Sequence, residues 1–179
     1  MNSAQFSRWH SAPLPISPQT RDWLLNLGSL TRLIQLRCKN FRVEPVFQSL
    51  AAVGNDELAV LSLRLGELAY VREVYLYCGK TPVVFAHSVV ARKNLRGAWR
   101  GLSNLGNKSL GTMLFTNPAV KRTPFRFKKL NSRHPLFHRA CLGLQTAHFS
   151  LWARRSLFSL HGQPILVTEV FLPTILDLV

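Results

Sequence analysis

The apolar positions divide the chain into a helical beginning and a strand-rich remainder. Ser17-Pro18 reads as a helix entry, with serine as N-cap and proline at the first helical position. That helix carries Trp23, Leu24, Leu25 and Leu27 and stops at Gly28. Ser29 caps a second helix running through Leu30, Leu33, Ile34 and Leu36. Asn40 to Leu50 reads as a strand, and Glu67 to Tyr77, rich in Val, Tyr and Leu, as a stronger one. Cys78-Gly79-Lys80-Thr81 is a turn into a further β-rich run, Pro82 to Ala91. Arg92 to Leu114 reads as helical and basic, broken by Gly101, Gly106 and Gly111. His148 to Leu160 and Pro164 to Leu172 form two strands joined at His161-Gly162-Gln163, the clearest hairpin signal in the chain. The expected fold is a single α+β domain, an antiparallel β-sheet flanked by helices, over residues 17–179, preceded by an N-terminal arm, residues 1–16.

With 179 residues, 47% apolar and 10% aromatic, the chain is long and apolar enough for one core. Its net charge of +15 changes the picture more. Such a charge implies an anionic partner, whether nucleic acid, a membrane surface or a small polyanionic substrate, or else a merely solubilising surface. Cys38, Cys78 and Cys141 are odd in number, far apart and without CxxC spacing. That argues against a disulfide framework or thiolate metal site and suits a reducing compartment. Met1 to Pro15 contains no continuous apolar region of the kind that marks a secretory signal, and Pro82 to Ala91 is too short to span a bilayer. A soluble, cytoplasmic protein is expected.

Glu169 is the only carboxylate between Val74 and Leu176, and it lies in the apolar run Pro164 to Pro173. Burying a carboxylate is costly unless it is paired or protonated, so Glu169 is either clamped by a cation or held neutral as a proton donor. Strand alternation puts it on one face with Ile165, Val167 and Phe171, and puts Arg72 on a similar stripe with Tyr70, Val74 and Leu76. Two readings follow. In one, Arg72 and Glu169 form a buried salt bridge. In the other, Arg72 grips a substrate carboxylate while Glu169 acts as acid or base in a shared pocket.

His134 and His138 have the i,i+4 spacing of helical metal ligands, but Pro135 and the lack of a neighbouring Glu favour a solvated loop pair, and no metal is expected. His87 reads as a satisfied, semi-buried histidine. The basic 121–139 segment interleaves Phe125 and Phe127 with Arg126 and Lys128, which favours a strand with a charged outward face over a nucleic-acid-binding track.

Leu151-Trp152-Ala153-Arg154-Arg155-Ser156, Gly162-Gln163-Pro164 and Thr168-Glu169-Val170-Phe171-Leu172-Pro173 together resemble the C-terminal signature of the chorismate pyruvate-lyase family. The likeness extends upstream through Asp22-Trp23-Leu24-Leu25, Ser29-Leu30-Thr31, Val71-Arg72-Glu73, Ser109-Leu110-Gly111 and Leu114-Phe115-Thr116. It implies an antiparallel sheet flanked by helices and the elimination of pyruvate from chorismate to leave 4-hydroxybenzoate, the first committed step toward ubiquinone, with no cofactor. Carried over by position, the substrate-binding residues are Leu30, Arg72, Leu110 and Glu169. Arg72 is expected to anchor the ring carboxylate, assisted by the backbone N–H near Leu110. Glu169, in an apolar setting that favours its neutral form, is expected to protonate the leaving oxygen. Relatives often have Met in place of Leu30, and Arg in place of His87. A monomer is expected, with no specific nucleic-acid partner and a weak anionic-membrane contact of about 1 kcal/mol per basic residue. The competing readings are a non-catalytic small-molecule-binding module of the same fold and a basic nucleic-acid-binding protein.

Overall fold

Ser17 opens helix α1 (Pro18–Leu24), its hydroxyl accepting from the Thr20 N–H, and Ser29 opens α2 (Leu30–Arg37) by accepting from Arg32. Both starts match the sequence pattern. In this computed structural model residues 8–13, 15–144 and 148–178 are described; residues 1–7 and 14 of the expected arm, and residues 145–147 and 179 of the expected domain, lie outside them.

Seven strands follow: β1 (Phe41–Ala51), β2 (Ala69–Cys78), β3 (Thr81–Ala91), β4 (Lys121–Arg122), β5 (Arg126–Asn131), β6 (Ser150–Leu160) and β7 (Gln163–Phe171). They form one antiparallel sheet in the order β1-β2-β3-β7-β6-β4, with β5 also paired to β6. The β6–β7 turn holds His161 and Gly162 at φ 49° and 76°. Positive φ at both central residues is what a two-residue hairpin needs to match strand twist. Gln163, the first residue of β7, accepts from the Ala98 N–H and the Trp99 indole, so the hairpin also fixes the turn over residues 97–99.

One face of the sheet is covered by α1, α2 and α4 (Leu110–Thr116), through Trp23, Leu24, Leu30, Ile34, Leu110 and Leu114 against Val74, Leu76, Phe158 and Phe171. The other is covered by α3 (Asn55–Leu61) and α5 (Pro135–Cys141), through Leu61, Leu136, Phe137 and Ala140. Because both faces are covered, the central strands are buried at almost every position.

Several expectations change. Helix α3 falls in a stretch for which the apolar pattern assigned no element; its first turn is acidic, Asp56-Glu57, and Glu57 accepts from the Gly54 N–H. The helix expected over Arg92 to Leu114 is two short 3-10 turns, Arg92–Arg96 and Leu102–Asn104, before α4 begins. Gly106, at φ 52°, turns the chain between the second 3-10 turn and α4, whereas Gly111 lies within α4. Lys128 is buried, not outward, because its side of β5 is covered; its ammonium lies 5.7 Å from the Trp9 ring. Part of the arm is therefore docked, and His10 exchanges backbone hydrogen bonds of 2.8 Å with Phe127.

The expectation against disulfides is also overturned. Phe41 pairs with Cys78 in the β1–β2 ladder, so Cys38, just beyond α2, comes to 5.7 Å between Cα atoms and is bonded to Cys78. The 40 residues between them hide this in the sequence. Among the described residues no helix is long and apolar enough to cross a membrane.

Candidate active site

The register places the chemistry. Gln48, Arg72, Ser88, Val167 and Ser156 form one row across the sheet, and Val74, Ala86, Glu169 and Arg154 lie on the next row of the same face. Arg72 and Glu169 thus stand on strands separated by β3, both directed at the helical layer of α2 and α4. A cavity lies between, lined by all four sequence-derived positions, Leu30, Arg72, Leu110 and Glu169, and by Thr31, Ser88, Ser109, Phe115 and Phe158. Its volume is about 50 Å³, below the several hundred Å³ typical of small-molecule sites. A ring-sized ligand therefore enters by displacing side chains.

The helices meet the cavity at their first turns. Thr31 Oγ1 and Ser109 Oγ are hydrogen-bonded at 2.6 Å, tying the start of α2 to that of α4. Gly111 permits the approach, since a Cβ there would lie 2.9 Å from Thr31 Oγ1. Leu110 is the first residue of α4, so its N–H has no acceptor within the helix.

Arg72 and Glu169 do not form the salt bridge that the sequence left open. The Arg72 guanidinium, almost fully buried, donates through Nη2 to the carbonyls of Gly106 and Lys108 at 2.8 and 3.1 Å, while its Nε is buried without a partner. Burial holds its pKa below the ordinary arginine value, with Tyr70 opposing. Glu169 is clamped instead by Arg154, whose Nε donates to Oε2 at 2.6 Å. The expected apolar setting is thus a charged one, because the cross-strand neighbour is a cation. Arg154 is 1% exposed and Glu169 20%. Arg154 Nη1 also donates to the carbonyls of Trp23, Leu24 and Asn26, at 3.3, 3.1 and 2.7 Å. It therefore fixes both the acid and the exit of α1, the favourable end for a cation.

His87 faces the other side of the sheet, away from the cavity, and supplies no charge to it. Its Nδ1 lies 2.8 Å from Glu73 Oε1, and its Nε2 lies 2.9 Å from Glu57 Oε1 as an ion pair without an aligned hydrogen bond. Arg139 also bonds Glu73. Burial opposes the imidazolium, but the two carboxylates on either side of it, Glu57 and the hydrogen-bonded Glu73, outweigh it and raise the His87 pKa. Burial likewise works against both carboxylates; His87, with Gly54 at Glu57 and Arg139 at Glu73, nevertheless lowers their pKa values.

His134 and His138 are not a ligand pair. His134 Nδ1 caps α5 by accepting from the Leu136 N–H, and His138 Nε2 bonds the Ser132 carbonyl. Burial, then Lys128, pushes the His134 pKa down to about 4. Among the described residues no group of three His, Cys, Asp or Glu side chains is arranged to hold a metal.

The chorismate lyase family matches residues 5–179. A probable chorismate pyruvate-lyase of Nitrosospira multiformis is 72% identical over 99% of each chain. One of Nitrosomonas europaea is 64% identical over 93% of this chain and 94% of its own. Among solved structures, the C-terminal domain of PhnF superposes with a TM-score of 0.57 at 15% identity, over 72% of this chain and 80% of that one. The ligand-binding domain of a putative GntR-family regulator from Bordetella bronchiseptica gives 0.54 at 14%, over 75% and 87%. These two establish likeness of fold alone. The match along nearly the whole chain, together with relatives above 60% identity, shows that this protein belongs to the chorismate lyase family.

Proposed function

We propose that this protein eliminates pyruvate from chorismate and releases 4-hydroxybenzoate, with Arg72 and Glu169 as its working pair. One observation carries the reading: an unpartnered buried guanidinium N–H and a carboxylate with one uncommitted oxygen line the same cavity. Arg72 Nε is a donor waiting for an acceptor, as a ring carboxylate supplies. Breaking the ether C–O bond requires a proton at the departing enolpyruvyl oxygen, and aromatisation removes the hydrogen at C4. Glu169 Oε2 is held by Arg154, so Oε1 is the oxygen that gives the proton. Delivery from that oxygen requires Glu169 to enter the reaction as the carboxylic acid. The proton released from C4 restores the carboxyl, and the enol tautomerises to pyruvate.

The same reading carries a cytoplasmic monomer feeding ubiquinone synthesis. It also carries a weak contact with anionic lipid through exposed basic residues such as Arg21, Arg32, Arg37 and Lys39. A binding-only module of this fold is the competing reading. Incubation with chorismate, followed by assay of pyruvate and 4-hydroxybenzoate, separates them. Equimolar release supports the lyase; chorismate binding without release removes it.

A further inference from the structure

On the chorismate reading the substrate brings two carboxylates into the cavity, and Arg72 accounts for one. Arg154 already serves Glu169 and three backbone carbonyls. Among the described residues only two guanidinium N–H groups are buried without a partner, Arg72 Nε and Arg122 Nη1. The second belongs to a residue with no role so far.

Arg122 stands on the cavity side of the sheet. It pairs with Phe158, a wall residue of the cavity, across the β4–β6 ladder. Its guanidinium stacks 5.6 Å from the ring of Phe115, another wall residue. It lies 4.5 Å from Phe125, whose ring also carries Arg154 at 4.2 Å. Burial and then the Arg154 charge lower its pKa, and Glu169 opposes them, so the charges framing the cavity reach it. Phe115 is half-exposed, on the last turn of α4, and is a side chain free to yield when a ligand enlarges the cavity.

The two orphaned donors sit at opposite sides of the site, Arg72 on β2 and Arg122 on β4, with Glu169 on β7 between them and Arg122 joined to its Arg154 clamp through the Phe125 ring. In chorismate the ether oxygen is bonded to the carbon that carries the arm's carboxylate, so a proton donor at that oxygen has the arm carboxylate beside it. The ring carboxylate lies farther off. We propose that Arg122 is a second carboxylate anchor, binding the enolpyruvyl carboxylate that departs in pyruvate, while Arg72 holds the ring carboxylate. Three arginines would then be balanced by Glu169 and the dianion, which suits an enclosed site.

The inference rests on the chorismate reading, and the two fail differently. 4-Hydroxybenzoate keeps the ring carboxylate and lacks the arm, so it probes Arg72 without Arg122. The experiment measures chorismate kinetics by pyruvate release and 4-hydroxybenzoate affinity by calorimetry, for wild type, Arg122→Gln, Arg122→Lys, Arg72→Gln and, as an exposed neighbour, Lys121→Gln. Loss of a charged hydrogen bond should raise the chorismate KM of Arg122→Gln about ten- to a hundredfold. Its 4-hydroxybenzoate affinity should stay within about twofold, set by the Arg72 contact alone. Arg72→Gln should weaken both ligands, Lys121→Gln neither, and Arg122→Lys, which keeps the charge and covers the same rings, should fall between wild type and Arg122→Gln. An unchanged chorismate KM in Arg122→Gln, or equal losses for both ligands, overturns the assignment. Should Arg122→Gln not fold, a wild-type KM in Arg122→Lys overturns it and a raised KM with unchanged 4-hydroxybenzoate affinity supports it. A wild-type protein that binds 4-hydroxybenzoate but leaves chorismate intact removes the lyase reading itself.

Discussion

Arg154 and Glu169 face each other across the β6–β7 ladder, with Nε 2.6 Å from Oε2, so the one acid of the cavity is gripped from its strand neighbour and presents its other oxygen to the ligand. A carboxylate held this way has a fixed position and a single free hydrogen-bonding site, which is what proton delivery to one ether oxygen requires.

Glu169→Gln keeps the shape and the acceptor to Arg154 but cannot give up a proton. On the proposed mechanism kcat falls about 10²- to 10⁴-fold, the usual worth of a general acid, while KM changes little. Steady-state pyruvate release measures both. Turnover near wild type would remove Glu169 from the chemistry.

Arg154→Met separates positioning from chemistry. It leaves Glu169 without its counter-ion and the carbonyls of Trp23, Leu24 and Asn26 without their donor. Removing one partner of a buried pair typically costs about 3–5 kcal/mol. Urea unfolding should therefore show a marked loss for Arg154→Met and a much smaller one for Glu169→Gln, with activity reduced in both. Equal stabilities for Arg154→Met and wild type would mean that Arg154 does not hold the site together.

The Arg154–Glu169 pairing was legible in the sequence and not read from it. Once His161 and Gly162 are the two-residue turn, Leu160 opposes Gln163, and counting outward sets Arg154 opposite Glu169. The pattern instead suggests Arg72 as the partner, because Arg72 and Glu169 are each a lone ion on an otherwise apolar stripe. Which stripes face one another depends on strand order, and β3 lies between β2 and β7. Local signals gave α1, α2 and the hairpins because their caps and turns are properties of neighbouring residues. The Cys38–Cys78 bond, the buried setting of Lys128 and the far-face acids around His87 arise from contacts between distant segments, which no local pattern encodes.

The disulfide closes a loop with a sequence separation of 40 residues. Loop-closure entropy puts its stabilisation at about 4 kcal/mol at most. Reduction with dithiothreitol, or Cys38→Ala with Cys78→Ala, should lower the urea midpoint and raise the m-value somewhat, because the unfolded chain loses its constraint. α2 begins at Leu30, at the end remote from the bond, so activity at 25 °C should survive. An unaltered midpoint would show that the bond adds nothing to stability.

The acid–histidine–acid cluster predicts how stability follows pH. The His87 pKa is raised in the fold, so its contribution is fully present below the unfolded value of about 6.5 and is lost as pH rises through the folded value. Glu57 and Glu73 are lowered, so theirs is present above about 4.5 and is lost as pH falls through their folded values. Stability from this cluster should be greatest in the window between and decline on both sides. His87→Asn removes the titrating cation from between two buried carboxylates, at a cost of about 3–5 kcal/mol near pH 6. It should also flatten the alkaline limb, because no proton remains to be lost there. Urea unfolding of both proteins from pH 5 to 9 measures this. Parallel curves above pH 6.5 would mean that His87 is neutral in the folded protein, and that the two carboxylates are held by Arg139 and the Gly54 N–H without it.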